Sequence, residues 1–350
     1  MDFYKIDGAY GEGGGQIIRS ALSLSMITGT AIHIQNIRAK RKKSGLMRQH
    51  LVCVQASQRI SNAQVTGAEL GSTEIKFAPQ TVCAGEYQFD IGSAGSTSLV
   101  LQTLLPALLF ADTEQPSNVT IQGGTHNPLA PTADFLIHGF LPILTKLGMQ
   151  IDYELIQAGF TPIGGGKVRA TIHPFMRRTS DKPFCLFERG ELQTIKLVAD
   201  CLNLDTEIAK RELNSCQSSL ASLVDESLLN KKTRKLRGIG EGNCCFALVQ
   251  SSQHQEVFTV LGEKRMSAEK VGNRLAGLIR RYLCASDSCV DEYLCDQLLL
   301  PLALAGGGEF SARFISQHSY TQAWLIEQFL DVRIHFKDIA KDKVHVQVLC

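Results

Sequence analysis

The sequence predicts an α/β protein, built of α+β sheets with helices packed on them, and three observations carry that prediction. Short runs of alternating apolar and polar residues recur along the chain. Longer stretches with helical spacing lie between them. Glycine-rich turns punctuate the alternation and resemble one another. Strands alternating with helices through most of a chain place helices against sheets.

In chain order, the run Ala31-Ile32-His33-Ile34 predicts a strand at 31–34, and further strands are expected at 73–77, 87–91 and 118–121. Later strands are expected at 167–172, 256–260, 332–336 and 344–349. Helices are expected at 98–110, 133–147 and 321–330. The first glycine turn packs four glycines into positions 11–15, and Ile17, Ile18, Ala21, Leu22 and Leu24 follow, so it opens a helix. About 80 residues later Gly92-Ser93-Ala94-Gly95-Ser96 precedes Leu99-Val100-Leu101 in the same way. Glycine triplets return at 164–166 and 306–308. The recurrence implies duplicated βα modules rather than a short-period solenoid.

Residues 186–281 differ in character. They hold the mixed-charge stretch Asp205 to Glu212 and the basic run Lys231 to Arg237, with few glycine turns before Gly238. This predicts a small α/β domain (186–281) inserted into a discontinuous repeat domain (1–185 and 282–350). A length of 350 residues suits that division. With 44% apolar and 20% charged residues, a sizeable core is expected.

A net charge of +2 argues against bulk nucleic-acid coating or a polybasic membrane anchor. No apolar run reaches the roughly 18 residues of a membrane span. The eleven cysteines form no CxxC pair and no leader precedes Tyr4, so reduced thiols in the cytoplasm are expected and a zinc site is not.

The glycine loop is the first candidate for chemistry. Free N–H groups at a helix N-terminus suit an anion such as phosphate. Glu12 and Arg19 add a carboxylate and a cation to that frame. Six cations fall between Arg38 and Arg48, and the run ends in Gln49-His50, so a polyphosphate or a nucleic-acid end is a reasonable ligand beside a plain solvated loop. The second basic run, 231–237, reads as charged surface. The turn Gln122-Gly123-Gly124-Thr125-His126-Asn127-Pro128 is either a tight structural loop or a pocket wall. Histidine is a competent nucleophile toward phosphorus. Residue chemistry alone does not single out His318 among nine histidines. The chain lacks the phosphate-loop lysine motif, the H-E-x-x-H zinc pair and the G-x-S-x-G elbow.

Along almost its whole length the chain resembles the RNA 3′-terminal phosphate cyclases. The matching stretches are Asp7-Gly8 with Gly11 to Arg19, Gly45-Leu46 with Arg48-Gln49-His50, and Ile91 to Ser96. Gly123-Gly124-Thr125, Gly262-Glu263-Lys264-Arg265, and Tyr293-Leu294 with Asp296-Gln297 extend the match. The resemblance implies three repeated βα units, of a kind shared with enolpyruvyl transferases, and a smaller inserted α/β domain. It implies ATP as cosubstrate, a divalent metal (Mg2+ or Mn2+) and an RNA 3′-phosphate end as partner, with no membrane and an undetermined oligomeric state.

By the same resemblance His318 is the nucleophile that accepts AMP. Glu12 lies near the phosphates and holds the metal, and Arg19, Arg38 and Arg41 handle phosphate with Gln49 and His50 beside them. Gln102 is a nucleotide contact, Pro131 and Tyr293 sandwich the adenine, and Leu294, Cys295, Asp296 and Gln297 line its pocket. Ser44, Gln122, His126 and Thr132 depart from the family pattern, which bears on loop rigidity rather than on chemistry. The competing expectations are a catalytically inactive cyclase-like ribosome-assembly factor, which would lack the nucleophile, and an enolpyruvyl transferase, which would need none.

Overall fold

A computed structural model describes residues 2–175 and 183–350. The first unit runs β1 (Tyr4–Asp7), α1 (Gln16–Thr28), β2 (Ile32–Gln35), α2 (Arg48–Ser61), β3 (Gln64–Thr66) and β4 (Ile75–Ala78). Its sheet has the order β1-β2-β4-β3, with β1 and β2 parallel and the other pairs antiparallel. The second unit repeats this plan. It runs β5 (Glu86–Asp90), α3 (Thr97–Leu109) and β6 (Ser117–Gly123), then α4 (Ala133–Phe135), a π turn (Leu136–Phe140) and α5 (Leu141–Lys146). Strands β7 (Ile151–Gln157) and β8 (Gly166–Ile172) complete it, in the order β5-β6-β8-β7.

A third unit opens with β9 (Phe184–Leu186) and then breaks off. The chain makes β10 (Leu192–Leu202), α6 (Thr206–Leu220), β11 (Leu229–Lys235), β12 (Gly242–Ser251), β13 (Gln255–Leu261) and α7 (Ala268–Cys284). The third unit resumes with α8 (Glu292–Ala305), β14 (Gly308–Ala312), α9 (Gln317–Phe329), β15 (Arg333–Ala340) and β16 (Lys343–Leu349). Read from β9, its sheet has the order β9-β14-β16-β15, with the same parallel first pair. The three sheets therefore share one βαβαββ topology, which accounts for the recurring glycine turns.

The interrupting segment builds a different sheet, ordered β11-β10-β12-β13. Strand β10 is buried on both faces from Leu197 to Leu202, while Gln193 and Lys196 nearer its start are exposed. Ile195, Leu197, Ala199 and Cys201 pack with α6 and α7, while Val198 and Leu202 join the main core. Its buried half, Leu197-Val198-Ala199-Asp200-Cys201-Leu202, is apolar but for Asp200 and so lacks the alternation that marks a half-buried strand. That is why only 256–260, within β13, was legible in this sheet. The basic run at 231–237 falls largely on β11, an edge strand whose lysines face water and deter edge pairing.

Several expected elements differ at their ends or within: the helix expected at 321–330 begins at Gln317, as α9, and the strand expected at 332–336 runs on to Ala340, as β15. The strand expected at 73–77 begins at Ile75, because the Thr73 carbonyl instead accepts from Ile37 N–H in the preceding loop. The helix expected at 133–147 contains the π turn, and Pro142 cannot donate to the carbonyl of His138, which accepts from Gln255 Nε2 at 2.9 Å. Helix α1 packs against α3 and α9, and α8 against α9, so helices of all three units meet at the centre. No helix among the described residues is long and apolar enough to cross a membrane.

Candidate functional site

Where these helices meet lies a cavity of about 560 Å³, a size suited to a nucleotide-scale ligand. Its floor is apolar, with Leu99, Leu105, Pro106, Leu109 and Leu304. Gln16, Arg19, Gln102, Asp296, Gln297 and His318 supply polar groups, and residues 126–132, after β6, form one wall.

His318 is the second residue of α9, whose first turn is capped by Ser316 Oγ accepting from Ser319 N–H at 3.2 Å. Its Nδ1 lies 2.7 Å from Gln16 Oε1. Gln16 Nε2 donates to the His318 carbonyl at 3.2 Å and to Gln322 Oε1 at 3.3 Å. A backbone carbonyl only accepts, so the amide nitrogen must face it and the amide oxygen must face the ring. Nδ1 therefore carries a proton, and in neutral imidazole the lone pair is left on Nε2. The side chain is 52% exposed, at the cavity's edge.

The glycine loop runs beside this histidine. Gly11 and Gly13 have φ of +56° and +60°, which side chains seldom tolerate. Gly15 is needed for space: a Cβ there would sit 2.3 Å from His50 Nε2 and 2.8 Å from Arg19 Nη1. Glu12 is nearly buried, its N–H donates to Thr321 Oγ1 on α9 at 3.4 Å, and its Oε1 is 3.9 Å from His318 Nδ1. Arg41 forms an ion pair with the other oxygen, Oε2, so Oε1 stays available.

The remaining basic-loop residues divide by function in the fold. Arg38, with φ of +55°, donates to the carbonyls of Lys43 (2.8 Å) and Gly45 (3.3 Å) and so closes its own loop. Its burial, beside Arg41, lowers its pKa. Burial likewise lowers that of Arg19, which the negative charges of Glu12 and Asp296 counter in part. His50 Nδ1 accepts from Met47 N–H at 3.2 Å, and burial beside Arg19 and Arg38 pushes its pKa down to about 3. It is thus a neutral donor through Nε2, facing Gly15. Gln49 is occupied structurally, its Oε1 accepting from Ser96 N–H at 2.7 Å and pinning the second glycine turn.

On the far side, Gln102 Nε2 donates to Gln297 Oε1 at 2.6 Å. Both are the sixth residue of their helices, α3 and α8, and each lies four positions before a proline, Pro106 or Pro301. Equivalent positions of two repeats thus face each other across the cavity. Pro131 and Tyr293 also line it, and Tyr293 is 61% exposed. Burial pushes the Asp296 carboxyl up to about 7, against the pull of Arg19.

Leu294 and Cys295 do not join the site. Helical spacing turns Tyr293, Asp296, Gln297 and Leu300 to the cavity, and Leu294, Cys295 and Leu298 into the main core. Of the run expected to line the cofactor pocket, Tyr293, Asp296 and Gln297 thus face the cavity and the side chains of Leu294 and Cys295 do not.

Sequence reasoning passed over Gln16, which sits inside the first glycine motif and was legible there as its only amide. It also passed over a buried cluster between the second unit and the inserted sheet. Donor atoms of His126, Asp134 and Asp200 lie within 4.8 Å of one another, a spacing that could hold a metal. Arg234 already takes both oxygens of Asp200 at 2.6 Å and Asp134 Oδ1 at 2.8 Å. The cluster's cation is thus a guanidinium, and it ties β11 to α4. Glu12, whose Oε1 is left free by Arg41, could instead hold a metal, since Mg2+ takes one or two carboxylates and completes its shell with substrate phosphates and water.

Known proteins of similar sequence identify the family. The profile of the RNA 3′-terminal phosphate cyclase family matches residues 10–336. The chain is 46% identical, over 97% of its length and 93% of the relative's, to an RNA 3′-terminal phosphate cyclase from Koribacter versatilis. It is also 46% identical, over 94% of its length and 92% of the relative's, to a protein of the same name from Ralstonia nicotianae. A chain with this repeat topology, this histidine-edged cavity and this extent of match belongs to the RNA 3′-terminal phosphate cyclase family.

Proposed function

We propose that this protein uses ATP to convert the 3′-terminal phosphate of an RNA into a 2′,3′-cyclic phosphate, by way of AMP carried on Nε2 of His318. The observation that carries the reading is the Gln16 clamp: Nδ1 is held as a donor at 2.7 Å, so Nε2 is the nucleophilic nitrogen. In the first step the Nε2 lone pair bonds to the α-phosphorus of ATP and the bond to the β-phosphate oxygen breaks, releasing pyrophosphate. Gln16 Oε1 and nearby Glu12 stabilise the positive charge that develops on the ring.

In the second step an oxygen of the RNA 3′-phosphate bonds to the adenylyl phosphorus and the bond to Nε2 breaks. In the third, the neighbouring 2′-hydroxyl attacks the activated 3′-phosphorus and AMP leaves, its proton passing to solvent. Ring closure is intramolecular, so proximity supplies part of the rate. Adenine fits between Pro131 and Tyr293, with Gln102 and Gln297 beside it. Arg19 and the neutral His50 face the phosphates, and Arg38 holds the basic loop in shape through the carbonyls of Lys43 and Gly45. Glu12 would hold a divalent cation such as Mg2+ or Mn2+ through Oε1, where its charge would offset that of the phosphates.

Incubation with α-labelled ATP and a divalent metal tests this. Acid-labile, alkali-stable label is expected on the protein, and His318→Asn should abolish it. RNA ending in a 3′-phosphate should discharge the label, and RNA ending in a 3′-hydroxyl should not. Equal discharge by both would refute the substrate.

A further inference from the structure

Just before the glycine loop, the Tyr10 ring stacks on Trp324 of α9, centroids 3.8 Å apart and planes at 22°. Trp324 is the only tryptophan in the chain, and Tyr10 is left 41% exposed. The pair is fixed to the helix that carries His318, because the next residue but one, Glu12, donates its N–H to Thr321 Oγ1.

The position is informative. Neither Tyr10, Glu12 nor any of residues 38–43 lines the cavity, whereas Gln16 and His318 do. A nucleotide filling the cavity reaches His318 from one side, which leaves this outer side for the second substrate. Two residues span at most about 7 Å of chain. The Tyr10 Cα is therefore no more than about 7 Å from that of Glu12, whose Oε1 is 3.9 Å from His318 Nδ1, and Trp324 lies six residues, about 9 Å, along α9 from His318. The charge there is complementary to a phosphodiester backbone. Lys40, Lys42 and Lys43 are exposed and enter no ion pair among the described residues, and the Lys40 stem lies against the loop at Gly13. A rigid exposed aromatic flanked by cations is the arrangement that holds a single-stranded base by stacking without reading its identity.

We propose that the Tyr10–Trp324 pair is a stacking shelf for a base within the last two nucleotides of the RNA, with the 40–43 lysines on its backbone. The proposal rests on the cyclase reading, and its test separates the two. Wild type, Tyr10→Ala and Tyr10→Phe are charged with α-labelled ATP without RNA. The isolated adenylyl-enzymes are then discharged with increasing amounts of a short oligonucleotide ending in a 3′-phosphate. All three should label equally. Tyr10→Ala should need roughly tenfold more oligonucleotide for half-maximal discharge, and Tyr10→Phe should behave as wild type. An oligonucleotide lacking its last two bases should discharge wild type and Tyr10→Ala at the same concentration.

Equal half-maximal concentrations for wild type and Tyr10→Ala with the intact oligonucleotide would overturn the shelf and leave the cyclase reading standing. A loss in Tyr10→Ala that persists with the base-free oligonucleotide would also overturn it. No label on wild type would overturn the cyclase reading itself, and the shelf with it.

Discussion

Gln16 holds His318 at both ends of the residue: its amide oxygen takes Nδ1 at 2.7 Å and its amide nitrogen the backbone carbonyl at 3.2 Å. One side chain thereby sets the ring's rotation and its tautomer. Such a clamp acts on chemistry more than on affinity, because it orients the attacking nitrogen rather than the nucleotide. Gln16→Leu should slow self-adenylylation on the order of 100-fold, by analogy with supporting groups around other reactive histidines. Single-turnover labelling checks this, with nucleotide binding by calorimetry expected to change little. Gln16→Glu keeps the acceptor but loses the donor, and should fall between Gln16→Leu and wild type.

The Gln102–Gln297 contact joins two repeats at equivalent helix positions. If they act on nucleotide as a unit, their effects will not add. Either alanine substitution should raise the ATP concentration needed for half-maximal labelling several-fold. The double variant should cost less than the product of the two by a factor of about 5, or roughly 1 kcal/mol of coupling.

Tyr293 and Leu294 are neighbours in sequence with opposite surroundings. Tyr293→Ala should weaken ATP binding and leave the denaturation midpoint nearly unchanged, since its ring is largely exposed. Leu294→Ala removes a fully buried side chain and should cost about 2–5 kcal/mol of stability. Binding by the folded Leu294→Ala fraction should be normal. Urea titrations alongside nucleotide binding separate the two effects.

Asp296 gives the site a dependence on pH. Its pKa is about 7 in the folded protein against an ordinary 3.8. Between these values the unfolded chain releases the proton and the folded chain keeps it, so this group lowers stability as pH rises from about 4 through 7. Above about 7 both states are ionised and the effect levels off. Asp296→Asn, which never ionises, should become progressively more stable than wild type across that window. Denaturant midpoints for both proteins at pH 5 and pH 8 check the sign.

Much of this architecture was legible in the sequence because strands and glycine turns repeat with clear local signals. The glycine loop announced itself through Gly11 and Gly13, where the backbone requires positive φ, and Gly15, where His50 and Arg19 crowd the chain. The inserted sheet was mostly hidden, since the second half of β10 is buried on both faces and β11 is a lysine-rich edge. Within the site, adjacency in sequence does not tell that a helix turns the side chains of Leu294 and Cys295 away from that of Tyr293. Gln16 stood out as the one amide of its motif, but its role did not, since that depends on a contact with a residue 302 positions away. The buried tie of Arg234 to Asp134 and Asp200 joins residues 100 and 34 positions apart, and no local pattern marks it.

Mass and site of label after incubation with ATP test the central claim most directly. The intact protein should gain the mass of one adenylyl group, proteolysis should place it on the peptide containing His318, and Gln16→Leu should gain it far more slowly. An unmodified wild-type chain at saturating ATP and metal, or label retained in full by His318→Asn, would contradict it.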